Sequence, residues 1–146
     1  MFGMLPDQSR LAELQRRRVR ATRAPEVVAA WAAAGVAASV LSDVRQEDII
    51  KQLRGGGRRK RQFGSLQGIV AEFREAGDMA VIIGWNIDNE PALLIRSQAL
   101  SQPDSLLRTI YPDGFIAAAQ PLTCALIIDF DETDWRADWV QLTERR

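Results

Sequence analysis

The chain has no histidine, one cysteine and one tyrosine among its 146 residues. Without histidine there is no Ser-His-Asp or Cys-His activation of a nucleophile, no imidazole-ligated zinc, and no base poised near neutral pH. A lone cysteine, Cys124, excludes intramolecular disulfides, thiolate zinc sites and CxxC redox pairs. It lies in the apolar run 122–130, where a thiol reads as a small buried hydrophobe. No apolar run approaches the ~18 residues of a membrane span. Residues 1–6 are too short for the apolar core of a signal peptide before charged residues begin, so the expected location is the cytoplasm. Any catalysis would rest on carboxylates, Lys, Arg, Ser or Tyr111; the expectation is a protein without enzymatic activity, cofactor or metal.

What is present is an ordinary globular balance, 47% hydrophobic and 26% charged, in a length suited to one domain that buries roughly two thirds of its unfolded surface. The formal charge of zero hides a division. Residues 1–62 hold 13 Lys/Arg against 6 Asp/Glu, and residues 63–146 hold 6 against 13. Two halves of opposite sign suit either a charged partner or each other.

Residues 1–76 read as helical. Asp7 is an N-cap for a first helix whose thin apolar stripe is Leu11, Leu14 and Val19, set among Arg10, Arg16, Arg17, Arg18, Arg20 and Arg23. A second helix is predicted from Pro25, at its first position, through Val27, Val28 and Trp31 to a Gly35 C-cap. Ser42 or Asp43 caps a third, with Ile49, Ile50 and Leu53 inward, and Gly55-Gly56-Gly57 stops it. A basic, flexible loop is expected over 55–62. Leu66, Ile69, Val70 and Phe73 then follow helical spacing, with Gly77 as terminator.

Residues 77–146 read as sheet-forming. The runs 79–85 and 92–95, separated by the Asn/Asp-rich turn 86–90, form a hairpin or meander. A short helix containing Leu106, Leu107 and Ile110 opens near Pro103, and Pro112-Asp113-Gly114 turns the chain into a strand over 115–119. The apolar run 122–130 implies a strand covered on both faces. Trp135, Trp139 and Leu142 fit helical spacing, and Trp135, Ala137 and Trp139 fit strand alternation; the helix is slightly favoured. Helices first and strands later predict a single α+β domain, its helical N-terminal half packed on one face of a small, mostly antiparallel sheet.

Two segments carry candidate chemistry. Ala125–Thr133 is an apolar strand followed by Asp-x-Asp-x-Thr and resembles the first motif of haloacid-dehalogenase-type phosphatases. That resemblance implies a nucleophilic Asp129 and an acid/base Asp131 beside Mg²⁺. It covers nine residues, and the sheet, phosphate-binding Ser/Thr, Lys and further acids which that family places downstream have no room in the residues after Thr133. The same segment reads otherwise as an acidic rim, Asp129, Asp131, Glu132, Asp134 and Asp138, around the aromatic anchors Trp135 and Trp139. That is the composition of a contact surface for a basic protein. The second segment, Arg58, Arg59, Lys60 and Arg61 on a glycine tether, is suited to sequence-independent phosphate binding. The first function expected is therefore a protein-binding inhibitor, a bacterial immunity protein or antitoxin that occludes a cognate toxin. The alternative is a non-enzymatic nucleic-acid-binding accessory protein using the basic N-terminal half.

Overall fold

A computed structural model of the chain describes residues 4–55, 58–62, 66–131 and 134–142, with the backbone alone for 4–7, 58–62 and 66–67. Helix α1 (Met4–Ala33) is followed by β1 (Ser39–Val40), α2 (Asp43–Arg54), β2 (Arg58–Gln62) and α3 (Leu66–Arg74). Then come β3 (Met79–Gly84), β4 (Ala92–Arg96), a 3₁₀ turn (Ser97–Ser101), α4 (Asp104–Ile110), β5 (Gly114–Gln120), β6 (Cys124–Phe130) and β7 (Trp135–Gln141). The seven strands make one sheet in the order β1-β4-β3-β5-β6-β7-β2, antiparallel at every pairing. The protein is α+β.

Alternation along the strands builds two apolar layers, because successive side chains point to opposite faces. On the first face, Ala80, Ile82, Leu93, Ile95, Phe115, Ala117, Leu126, Ile128 and Ala137 meet Val27 and Trp31 of α1, Phe73 of α3 and Leu107 of α4. On the second, Val81, Ile83 and Ala92 meet Ile49 and Ile50 of α2. Ala118, Ala125 and Val140 continue this face under Leu53. Helix α2 is thus the exception to packing on a single face. It docks opposite the other helices because its apolar residues 49, 50 and 53 are the match for the odd-numbered positions of β3. The run 124–130 is buried or half-buried throughout, as a strand between two layers must be.

Local signals account for most boundaries. The Ser42 hydroxyl caps α2 by accepting from the Arg45 amide at 3.2 Å. Gly35, with φ +82°, ends α1: its amide donates to the Ala32 carbonyl and the Val36 amide to the Trp31 carbonyl, each at 2.9 Å. These are the paired bonds of a Schellman cap, which needs the left-handed conformation glycine adopts without strain.

Four expectations need correction. Asp7 does not cap the first helix; α1 begins at Met4 and Asp7 lies within it. Pro25 does not begin a second helix; α1 runs through it. Proline forfeits the bond to the Ala21 carbonyl, but the helix is docked on both sides, by Arg20 and Arg23 before it and by Val27 and Trp31 after it. Arg58–Gln62 is not a flexible loop but an edge strand paired with β7. A run of cations has poor strand propensity, yet charge is how an exposed sheet edge avoids pairing with another chain. The segment containing Trp135 and Trp139 is β7, not a helix. Residues four apart share a side in either structure; pairing with β6 and burial of Ala137 between the tryptophans decide for the strand.

Among the described residues two ion pairs join the basic and acidic halves, Arg23–Glu90 and Arg54–Asp88, and five lie within residues 1–62. Arg20 is 3% exposed; its guanidinium donates to Asp43 Oδ1 at 2.9 Å, Glu47 Oε2 at 2.7 Å and the Asp88 carbonyl at 2.7 Å. Arg17 reaches Glu47 at 2.7 Å and Glu13 at 2.9 Å, and Arg23 reaches Glu90 at 3.0 Å and Glu26 at 2.8 Å. Arg17 and Arg20 hold the Glu47 carboxyl below its ordinary value against the opposing effect of burial. Its contribution to stability is therefore complete above the ordinary carboxylate range and is lost as pH falls through and below it. Glu47→Gln is expected to lower stability near pH 7 and to flatten the decline of the urea midpoint from about pH 5 to about pH 3. A variant whose acid decline is as steep as the native chain's contradicts this assignment.

Candidate functional site

Helix α2 does not reach the whole second face. Where β3 ends and β5 begins, a groove of about 360 Å³ is lined by Trp85, Ile87, Ile116, Ile127, Asp129, Arg136 and Asp138. Strand register explains this composition. Ile116, Ile127 and Asp138 stand side by side across β5, β6 and β7, and Gly114, Asp129 and Arg136 form the next row. The isoleucines make an apolar floor, the last two rows of β6 and β7 bring charge beside it, and the β3–β4 loop supplies a wall.

That wall is fixed by polar contacts, centred on two buried side chains, Gln46 and Arg20. Gln46 on α2, 2% exposed, donates to the Ile87 carbonyl at 3.1 Å and the Glu90 carbonyl at 2.7 Å, and accepts from the Ala92 amide at 3.0 Å. Arg20 holds the Asp88 carbonyl, Arg54 the Asp88 carboxylate at 2.8 Å, and Arg23 the Glu90 carboxylate. Gly114 completes the arrangement. Its φ is +121°, and a Cβ there would lie 2.1 Å from the Ile128 carbonyl oxygen and 3.0 Å from Trp85 Cε3. Only a glycine at this position leaves room for the indole beside the strand. Trp85 is nonetheless 43% exposed, a large aromatic on a firmly held loop.

The residues singled out in the sequence fall in three places. Asp129 and Asp138 line the groove. Asp131 and Asp134 lie in the β6–β7 turn, at the same end of the sheet; Glu132 lies outside the described residues. Arg108 of α4 clamps this turn by donating to the Asp131 and Asp134 carbonyls, each at 2.6 Å, with its guanidinium 4.6 Å from the Phe130 ring centre. Trp135 and Trp139 face the other way and pack against the first core, Trp139 edge-on to Phe73 with ring centres 6.1 Å apart. The acidic side chains and the two tryptophans therefore do not form one surface. Trp85 was not among the candidates; a bulky aromatic directly after a strand, at the entrance to an Asn/Asp-rich turn, was the available signal.

The basic residues are similarly divided. Arg17, Arg20 and Arg23 are engaged by acids of α1, α2 and the β3–β4 loop. Arg58, Arg59, Lys60 and Arg61 lie along the edge strand, with Lys60 opposite Trp139 and Arg61 opposite Asp138 in register. Cys124 is buried, which raises its thiol above the ordinary value. Tyr111 is likewise raised by burial and accepts from Trp31 Nε1 at 3.1 Å. Among the described residues there is no group of three or more His, Cys, Asp or Glu placed to hold a metal ion, and no helix long and apolar enough to cross a membrane.

No protein-family model matches the chain, and comparison with curated proteins and with solved structures returns no match.

The opposite placement of the tryptophans has a measurable consequence. Trp139→Ala, at a half-buried ring packed against the first core, is expected to cost ~2 kcal/mol of unfolding free energy, and Trp85→Ala about 1 kcal/mol or less. Urea denaturation of the two variants checks this; equal losses contradict the division.

Proposed function

We propose that the chain is a protein-binding inhibitor, of the kind represented by bacterial immunity proteins and antitoxins, acting in the cytoplasm by covering a cognate toxin with the end of its sheet that carries the Trp85 groove. The observation that carries this reading is the combination of exposure and fixation at Trp85. A large aromatic left accessible on a loop held by buried Gln46 and Arg20 loses little freedom on binding, so more of its contact energy is expressed as affinity. Apolar patches rimmed by polar residues are characteristic of interaction sites. The acidic groups at the same end, Asp129, Asp131 and Asp134, favour a basic partner surface and would act chiefly on association rate and salt dependence.

The nucleic-acid alternative has a weaker footing. Three of the six arginines of α1 that it would use already have acidic partners, and the cations of β2 occupy an edge where charge has a structural role.

The test is co-expression with the product of the neighbouring open reading frame, since inhibitors and their targets are commonly encoded together. A stable complex is expected, in which Trp85→Ala, shown to be folded, weakens affinity by ~2 kcal/mol, about thirtyfold. Removing charge at Asp131 and Asp134 should slow association several-fold with little change in dissociation. The reading is overturned if folded Trp85→Ala binds as tightly as the native chain. It is also overturned if the ligand is nucleic acid and changing Arg58, Arg59, Lys60 and Arg61 to Ala flattens the dependence of affinity on salt.

A further inference from the structure

We infer that the groove takes a cationic side chain of the partner protein, an arginine or lysine inserted between Trp85 and Asp129. This inference rests on the protein-binding reading and specifies its chemistry. Three features of the groove match the three parts of such a side chain. Ile116, Ile127 and Ile87 offer an apolar bed for the methylene stem. The exposed indole of Trp85 lines the groove, within reach of a cation–π contact with the charged head. Asp129, half-buried, offers a carboxylate that makes no ion pair among the described residues. The volume of about 360 Å³ is at the small end of ligand pockets, roughly 300–1,000 Å³, and suits one long side chain better than an extended segment.

The surroundings favour the same occupant. Asp113 precedes Gly114, and Asp131 and Asp134 follow β6, so the end of the sheet that opens into the groove is bordered by carboxylates. Arg108 holds the Asp131–Asp134 turn through its carbonyls, and Arg136, opposite Asp129 in the β6–β7 register, is the cation that lines the groove itself. It makes no ion pair with Asp129, and it competes with an incoming guanidinium for the same field. Its removal should strengthen, not weaken, capture of a cation.

The experiment uses the full chain labelled with fluorotryptophan, whose Trp85 resonance is assigned with Trp85→Phe. It is titrated with a capped Gly-Arg-Gly tripeptide, its lysine counterpart and its neutral citrulline counterpart, and followed by fluorine NMR. The Trp85 resonance should shift saturably with the two cationic peptides and at least about tenfold more weakly with citrulline. Asp129→Asn should remove the preference for charge, and Arg136→Ala should raise affinity for the arginine peptide. Equal response to arginine and citrulline in the native chain, or no saturable response at Trp85, overturns the inference without touching the protein-binding reading, which is decided by Trp85→Ala in the toxin complex. Sedimentation showing a dimer that dissociates on Trp85→Ala also overturns it, because the occupant is then a second copy of this chain.

Discussion

A guanidinium removed from water has to be surrounded by acceptors or it unfolds the site that buries it. Arg20 meets that demand with two carboxylates from α2 and a main-chain carbonyl from the β3–β4 loop, and in doing so fixes three parts of the chain relative to one another. Only the guanidinium is buried; Asp43 and Glu47 keep contact with water, so it is the loss of an acceptor to Arg20 that leaves an uncompensated buried charge. This arrangement stabilises the native state less by attraction than by the penalty on every alternative. A shift of α1 along α2 takes the cation from between Asp43 and Glu47, and lifting of the loop takes the Asp88 carbonyl from the buried guanidinium.

The groove follows from that constraint. Helix α2 is drawn to the β1–β4–β3 side of the second face, where Gln46 caps the loop from within and Ile49 and Ile50 cover Val81 and Ile83. A twelve-residue helix spans ~18 Å, so the opposite end of β5, β6 and β7 is left without a cover. Apolar residues are retained there beneath a tryptophan that the loop cannot withdraw. Interior-facing Trp135 and Trp139 and exposed Trp85 illustrate how the same residue type serves either burial or recognition according to which side of a strand, or which turn, carries it.

Much of the architecture was legible from local pattern. Ser42, Gly35, the spacing of Ile69, Val70 and Phe73, and the apolar run of β6 each have a short-range physical reason, and each element formed as that reason requires. The candidate site was less legible because its determinants are non-local. Arg20 and Asp88 are 68 residues apart in sequence, so the arginines of α1 looked unpartnered and suggested phosphate binding. Asp129 and Asp138 were recognised as accessible acids, yet their neighbours Ile116 and Trp85 come from other strands and are visible only once register is known. The pair Trp135 and Trp139 was ambiguous in principle, since a separation of four places residues on one side of both a helix and a strand. The strand of cations was missed because its pairing partner, β7, supplies what its own propensity lacks.

The central claim is that buried polar contacts from α1 and α2 hold the β3–β4 loop, and with it Trp85, in place. Amide hydrogen exchange in Gln46→Leu, a variant that keeps the side-chain volume and removes the three hydrogen bonds, tests this most directly. The account predicts that the Asn89 and Glu90 amides, bonded to the Asn86 carbonyl in the native chain, exchange at least about tenfold faster while those of β5 and β6 keep their protection. Unchanged protection in the loop of a folded variant would contradict it.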